Sequence, residues 1–270
     1  MKNKIKVLII DDSAVIRKIL SVSLNKYEDI EVVGTAPDPF IARDKILSLK
    51  PDVLTLDVEM PRMDGLTFLK KIMTFHPIPT IMVSSLSHDG GDVTLKALEI
   101  GAVDYVAKPS NRFSCDVKNV IHDLYQKIKT ASTITMGRNG TTKTNQQKRT
   151  DSRILQLKSA QQNYTMFKGT NKIVVIGAST GGTEALKEVL MQMPADSPGI
   201  AIVQHMPEIF TKAFAQRLDS LCAIKVREGK NGDSLTQGQA IIAPGNYHMK
   251  LRRNGSMYYI ETSQEERVHH

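Results

Sequence analysis

The sequence predicts an α/β protein: an N-terminal five-stranded, doubly wound parallel-sheet domain, a linker, then a second α/β parallel-sheet domain. Three observations carry this. Short apolar runs rich in β-branched residues alternate with stretches of helical apolar spacing, the pattern of strand–helix–strand units. Several of these runs end in a chemically active side chain. Between about residues 131 and 170 the chain turns polar and loses apolar periodicity.

In the first domain, Ile5–Ile10 is an apolar run ending at Asp11-Asp12, and a helix follows from Ser13 with Ile16, Ile19, Leu20 and Leu24 at helical spacing. Glu31–Ala36 reads as a strand, Pro39–Lys50 as a helix, and Val53–Asp57 as a strand ending in an aspartate. Leu66–Phe75 is helical, and Thr80–Ser85 is a strand ending in serines. Val93–Ile100 is a helix closed by Gly101, and Val103–Ala107 is a strand running into Lys108-Pro109. Cys115–Lys129 is the last helix. Beyond the linker, Ile173–Ile176 reads as a strand buried on both faces, and Thr183–Met193 as a helix. Gly199–His205 is a second buried strand and Ile209–Leu221 a helix. Ile224–Val226 and Ala240–Ala243 are further strands, and a hairpin turns around Asn254-Gly255. The domains are expected at 1–130 and 171–270, with 131–170 a basic polar linker.

Composition narrows the function. The chain has 270 residues, 41% hydrophobic and 24% charged, with two cysteines, too few for a disulfide framework or a Cys-rich metal site. The opening MKNKIKVLIIDDS lacks the length of a signal peptide or membrane span, so a cytoplasmic protein without membrane insertion is expected. Residues 131–172 hold eight lysines and arginines against Asp151 alone, so +7 of the net +8 lies in the linker region and not on a folded face. A basic tether follows, and no nucleic-acid partner is expected. No helix-turn-helix pattern follows the first domain.

In a doubly wound sheet, ligands bind outside the carboxyl ends of the strands. Asp11, Asp12, Asp57, Ser84 and Lys108 all fall there. Clustered carboxylates repel unless neutralised, and a hard divalent cation such as Mg²⁺ does this with oxygen ligands. A lysine opposite can hold a phosphoryl group. These residues, with Pro109, make residues 1–130 resemble a response-regulator receiver domain. The resemblance implies that Asp57 accepts phosphate from a histidine kinase. It further implies that Asp11, Asp12 and Asp57 hold Mg²⁺ and that Ser84 and Lys108 contact the phosphoryl group. Tyr105 matches the family's switch aromatic, with an ordinary strand-edge tyrosine as the alternative.

In the second domain, Gly177-Ala178-Ser179-Thr180-Gly181 fits G-x-S-x-G at a strand-to-helix turn. Alone, it reads as a nucleophile elbow, a phosphate loop or a plain turn. His205 at the end of the next strand adds a base for Ser179. No acidic residue stands where a dinucleotide fold needs one, since that strand ends in His205. GASTGG, IVQHMP and IIAPGNYHM, in this order, resemble the chemotaxis protein-glutamate methylesterases, which join a receiver to a hydrolase. The resemblance implies hydrolysis of glutamyl methyl esters, and deamidation of glutamines, on chemoreceptor cytoplasmic domains. It further implies Ser179 as the nucleophile and His205 as the base; Thr180 matches a family site position, serving the oxyanion site or orientation, with a plain helix-starting role as the alternative. The esterase needs no cofactor, and a monomer is expected.

The family pattern continues with an Arg-Pro-Ser-Val-Asp stretch and a Gly-Met-Gly-x-Asp-Gly segment carrying the triad aspartate, and neither occurs in these 270 residues. Asp196, Asp219 and Asp233 read as solvated, leaving a dyad. The second domain is therefore expected to be incomplete, poorly folded beyond residue 171, and weakly active or inactive. A non-enzymatic phospho-acceptor is the alternative.

Overall fold

The computed structural model describes residues 4–84, 90–108, 114–134, 136 and 172–265, with side chains left aside at 90–92 and 114–116. Pro109 and nearly all of the linker lie outside the described residues. The chain divides into two compact units, Met1–Gln147 and Lys148–His270.

In the first unit the five apolar runs become β1 (Ile5–Ile10), β2 (Ile30–Ala36), β3 (Val53–Asp57), β4 (Thr80–Ser84) and β5 (Asp104–Ala107). They form one parallel sheet of order β2-β1-β3-β4-β5. The helices are α1 (Ala14–Leu24), α2 (Pro39–Leu49), α3 (Gly65–Phe75), α4 (Gly90–Ile100) and α5 (Ser114–Ser132). Ser13 caps α1 by accepting the Ile16 amide, and Asp38 caps α2 by accepting those of Phe40 and Ile41. On one side of the sheet, Leu20, Leu24, Ile121, Leu124 and Ile128 of α1 and α5 bury Val7, Ile9, Val53, Ile81 and Val106. The other helices bury their own apolar stripes, among them Ala42 and Ile46 of α2 and Phe68, Leu69, Ile72 and Met73 of α3. Every residue of β3 and β4 is buried. Helix α5 runs to Ser132, slightly past the expected domain end.

In the second unit, β6 (Ile173–Ala178), β7 (Gly199–Gln204), β8 (Lys225–Glu228) and β10 (Gln239–Ile242) form a parallel sheet of order β6-β7-β10-β8. Helix α6 spans Gly182–Met191 and α7 spans Glu208–Leu221. A short strand β9 (Ser234–Leu235), which no sequence pattern marked, joins β11 (His248–Asn254) and β12 (Met257–Ser263) in an antiparallel sheet. Ala201, Leu235, Ile241 and Ile260 form a core between the two sheets. The hairpin pairs Asn254 with Met257, so its two turn residues are Gly255 and Ser256, one step later than expected. The described residues 172–265 thus form an α/β unit with a parallel sheet, where a poorly folded segment is expected from the sequence.

The Ile173–Ile176 run is expected to be buried on both faces, and the structure corrects this. Among the described residues β6 pairs only with β7. No β6 residue is fully buried, and Val175 is 67% exposed. Val203 of β7, on the same face, is 46% exposed. An apolar run reports what a strand is able to bury, not how many neighbours it has. The helix-covered face does bury β7, through Ile200, Ile202 and Gln204.

Candidate functional site

The receiver-type site forms where β1 and β3 end side by side. Carboxylate oxygens of Asp11, Asp12 and Asp57 all lie within 4.8 Å of one another. Asp11 and Asp57 are buried and Asp12 is exposed. Lys108, one residue past β5, reaches across with Nζ 2.7 Å from Asp57 Oδ2 and 3.1 Å from Asp11 Oδ2. Its backbone N–H donates to the Ser84 carbonyl at 2.8 Å, so the β4 and β5 ends are tied at the same rim. The amides of Ser13 and Glu59 donate to Asp11 and Asp57 at 2.8 and 3.2 Å.

Burial dominates the electrostatics. It raises the Asp57 carboxyl from the ordinary 3.8 to about 6, against the hydrogen bond from Lys108 and with the Asp11 charge adding to it. Asp11 is also raised by burial, with Lys108 opposing. Burial alone would lower Lys108, but its hydrogen bond and charge pairing with Asp57 outweigh that and raise it. Three hard oxygen donors with excess negative charge suit a small divalent cation, so the donor set fits Mg²⁺.

Gly65 is obligatory here. A Cβ there would run into the backbone carbonyl of Asp57 and lie 2.9 Å from its carbon. Tyr105 is 2% exposed. Lys127 Nζ, itself buried, donates to the Tyr105 carbonyl at 2.7 Å and lies 5.3 Å from the ring centroid.

The second site forms where β6 and β7 end. Their last paired residues are Ala178 and Gln204, so Ser179 and His205 each lie one step beyond the ladder. The His205 amide donates to the Ala178 carbonyl at 2.9 Å, and the Gly182 amide to the Ser179 carbonyl at 2.7 Å. Gly181, in the left-handed region at φ 74°, turns the chain into α6. Ser179 and His205 are exposed and Thr180 half-buried. Neither Ser179 nor His205 makes a side-chain hydrogen bond among the described residues. The structure therefore brings the two residues to one rim through the backbone.

No carboxylate backs His205 among the described residues. Asp196 precedes β7, at the opposite end of the sheet. Asp219 and Asp233 are not merely solvated, as the sequence reading had them. Asp219 accepts the Val226 amide at 2.7 Å, and Asp233 pairs with Arg227 and accepts the Lys230 amide at 2.6 Å. Glu228, at the carboxyl end of β8, is occupied by Thr211.

Family models match both units: a response regulator receiver domain over residues 7–114 and a CheB methylesterase over residues 174–270. The chain is 55% identical over 268 residues to protein-glutamate methylesterase/protein-glutamine glutaminase 2 of Syntrophus aciditrophicus, covering 99% of this chain and 75% of that protein. The chain belongs to the protein-glutamate methylesterase/protein-glutamine glutaminase family. The corresponding protein 1 of Geobacter metallireducens is 50% identical over 260 residues, covering 96% of this chain and 70% of that protein. A crystal structure of the response regulator domain of Thermotoga maritima CheB is 41% identical, with a TM-score of 0.45, covering 49% of this chain and 99% of that chain.

Around this methylesterase-family rim, two groups of residues escaped the sequence reading. Gln204 is 8% exposed, and its Nε2 donates to the Ser179 carbonyl at 3.1 Å and the His205 carbonyl at 3.2 Å. Thr211 is fully buried, bonds Glu228 and accepts the Gly245 amide at 3.2 Å, pinning the Pro244-Gly245-Asn246 turn to the start of α7. Both had a signal: a polar residue at an inward position of an otherwise apolar face.

Proposed function

We propose that the chain is a phosphorylation-regulated hydrolase of glutamyl methyl esters, and of the corresponding glutamine amides, on chemoreceptor cytoplasmic domains. Family membership supports the reaction class. The observation that carries the residue assignment is the adjacency of Ser179 and His205, one step past the last pair of two neighbouring parallel strands.

The His205 imidazole takes the Ser179 proton as the serine oxygen attacks the ester carbonyl carbon. The amides at the start of α6 face the oxyanion, with Thr180 contributing there or to orientation. The imidazolium returns the proton to the departing methoxide, releasing methanol; a glutamine releases ammonia. Water then cleaves the acyl-serine to a glutamate carboxylate and free Ser179. No cofactor enters this reaction.

In the receiver, Asp57 accepts a phosphoryl group from a chemotaxis histidine kinase. Asp11, Asp12 and Asp57 would hold Mg²⁺, which supplies the countercharge for transfer. Ser84 and Lys108 contact the phosphoryl oxygens, and Tyr105 responds as the switch residue. The protein acts in the cytoplasm, as a monomer, with no nucleic-acid partner.

His205 lacks a carboxylate neighbour among the described residues, and loss of the orienting aspartate costs on the order of 10⁴ in turnover in the serine-protease template. The 270-residue chain is accordingly weakly active or inactive by itself. That same contrast, an assembled acidic site in one unit and an unsupported dyad in the other, favours a second reading as a non-enzymatic phospho-acceptor. Methanol release with and without a small-molecule phosphodonor tests the regulation. Asp57→Ala keeps basal release and loses the stimulation; equal stimulation of parent and variant overturns the regulatory role of Asp57.

A further inference from the structure

We infer that Gln204 is a positioning residue for the hydrolytic pair: its side-chain amide couples the backbones of Ser179 and His205 one step beyond the point where the sheet ladder stops. The inference rests on the Ser179–His205 reading and deepens it.

The β6–β7 ladder ends at the Ala178–Gln204 pair. The two candidate catalytic residues are therefore the first on each strand that the regular pairing leaves unlinked to each other. Their side chains are exposed and form no hydrogen bond of their own among the described residues, so no direct side-chain contact between them sets their separation. Gln204 supplies the missing link. A primary amide has two N–H donors on one nitrogen, and here both go to carbonyls, one of Ser179 and one of His205. Because Gln204 is 8% exposed, water competes little for these bonds. The Ser179 carbonyl also accepts the Gly182 amide at 2.7 Å, so the same contact joins the start of α6 to the β7 end.

The chemistry is specific to glutamine. Glutamate would turn acceptors toward two carbonyl acceptors, and methionine would leave both carbonyls without that donor. The space is specific too. A Cβ on residue 182 would collide with Gln204 Oε1 and lie 2.7 Å from the Ala178 Cβ. Gly182 thus lets the amide sit between the two strand ends.

The test uses a thiol as a reporter of imidazole proximity, so it does not depend on turnover. In the full chain carrying Ser179→Cys, alkylation of the introduced thiol by iodoacetamide is followed against pH by peptide mass spectrometry. The native Cys115 and Cys222 are then read separately as internal controls. A thiol beside an imidazole ionises below the ordinary value of about 8.5. The expected result is alkylation of the introduced thiol well below that pH, returned to the ordinary range by His205→Ala. Gln204→Met and Gln204→Glu should each slow this alkylation at pH 6 about tenfold, corresponding to roughly one unit in the thiolate midpoint. Gly182→Ala, which displaces the same amide from the helix side, should do likewise. An unchanged low-pH reaction in the Gln204 and Gly182 variants, with His205→Ala still effective, overturns the role of Gln204 and leaves the pair intact. An introduced thiol that titrates in the ordinary range with Gln204 present, indifferent to His205→Ala, overturns the pair itself and the inference with it.

Discussion

The two rims are built by different means from similar strand ends. In the receiver, side chains do the joining: Lys108 bridges Asp57 and Asp11, and all three are drawn into a sheet covered on both sides. In the hydrolase unit, backbone and one amide do the joining. Ser179 and His205 stand exposed at the ends of two neighbouring strands, Ser179 on the edge strand β6 whose Val175 faces outward and His205 on β7. Direct charge pairing in a buried site gives a local, self-contained device. Backbone scaffolding fixes where two residues start, and leaves the orientation of their side chains to whatever contacts them.

The largest expected difference lies at two glycines. Gly65→Ala drives a Cβ into the Asp57 backbone, which cannot give way, so it should cost about 3 kcal/mol or more and abolish phosphorylation. Gly182→Ala meets a side-chain amide and the Ala178 Cβ, so the unit should stay folded with a smaller loss and a disturbed Ser179–His205 pair. Thermal melts of the two variants, with Asp57 phosphorylation as the second readout, check this. Equal losses would erase the distinction.

Asp57 gives the receiver a pH signature of its own. Its folded-state carboxyl is raised to about 6 from 3.8, so the folded chain holds an extra proton between those values. Stability from this group is full below 3.8 and is lost as pH rises through 6. With divalent cations chelated, Asp57→Asn should therefore be more stable than the parent above pH 6, by on the order of 1–3 kcal/mol, with the gain vanishing near pH 4. A gain that grows toward low pH would contradict the buried-carboxylate account.

The smallest effect concerns the strands themselves. Val53→Ala, at a fully buried position of β3, should cost about 2 kcal/mol, and Val175→Ala on β6 under about 0.5 kcal/mol. Denaturant melts would show whether the exposed face of β6 is as idle as its exposure says.

These contrasts explain what was legible. Asp11, Asp57, Ser84 and Lys108 could be placed because each closes a short apolar run, and a parallel sheet sends all such ends to one side. Ser179 and His205 were legible for the same reason. The edge position of β6 was not, because IVVI and GIAIV carry the same local pattern and strand order is a long-range property. Gln204 was hidden beside His205, although its place after Ile200 and Ile202 on the inward face marked it. Thr211 among Phe210, Phe214 and Leu218 was the same kind of signal.

The central claim is that Ser179 performs the hydrolysis on a rim that the receiver governs. It is tested most directly by methanol release from methylated chemoreceptor membranes, comparing this chain with Ser179→Ala while Asp57 phosphorylation is followed in the same samples. The account predicts Asp57 phosphorylated in both, with a weak release that rises with phosphodonor in the parent and is absent in Ser179→Ala. Release of equal size in the two chains would contradict it.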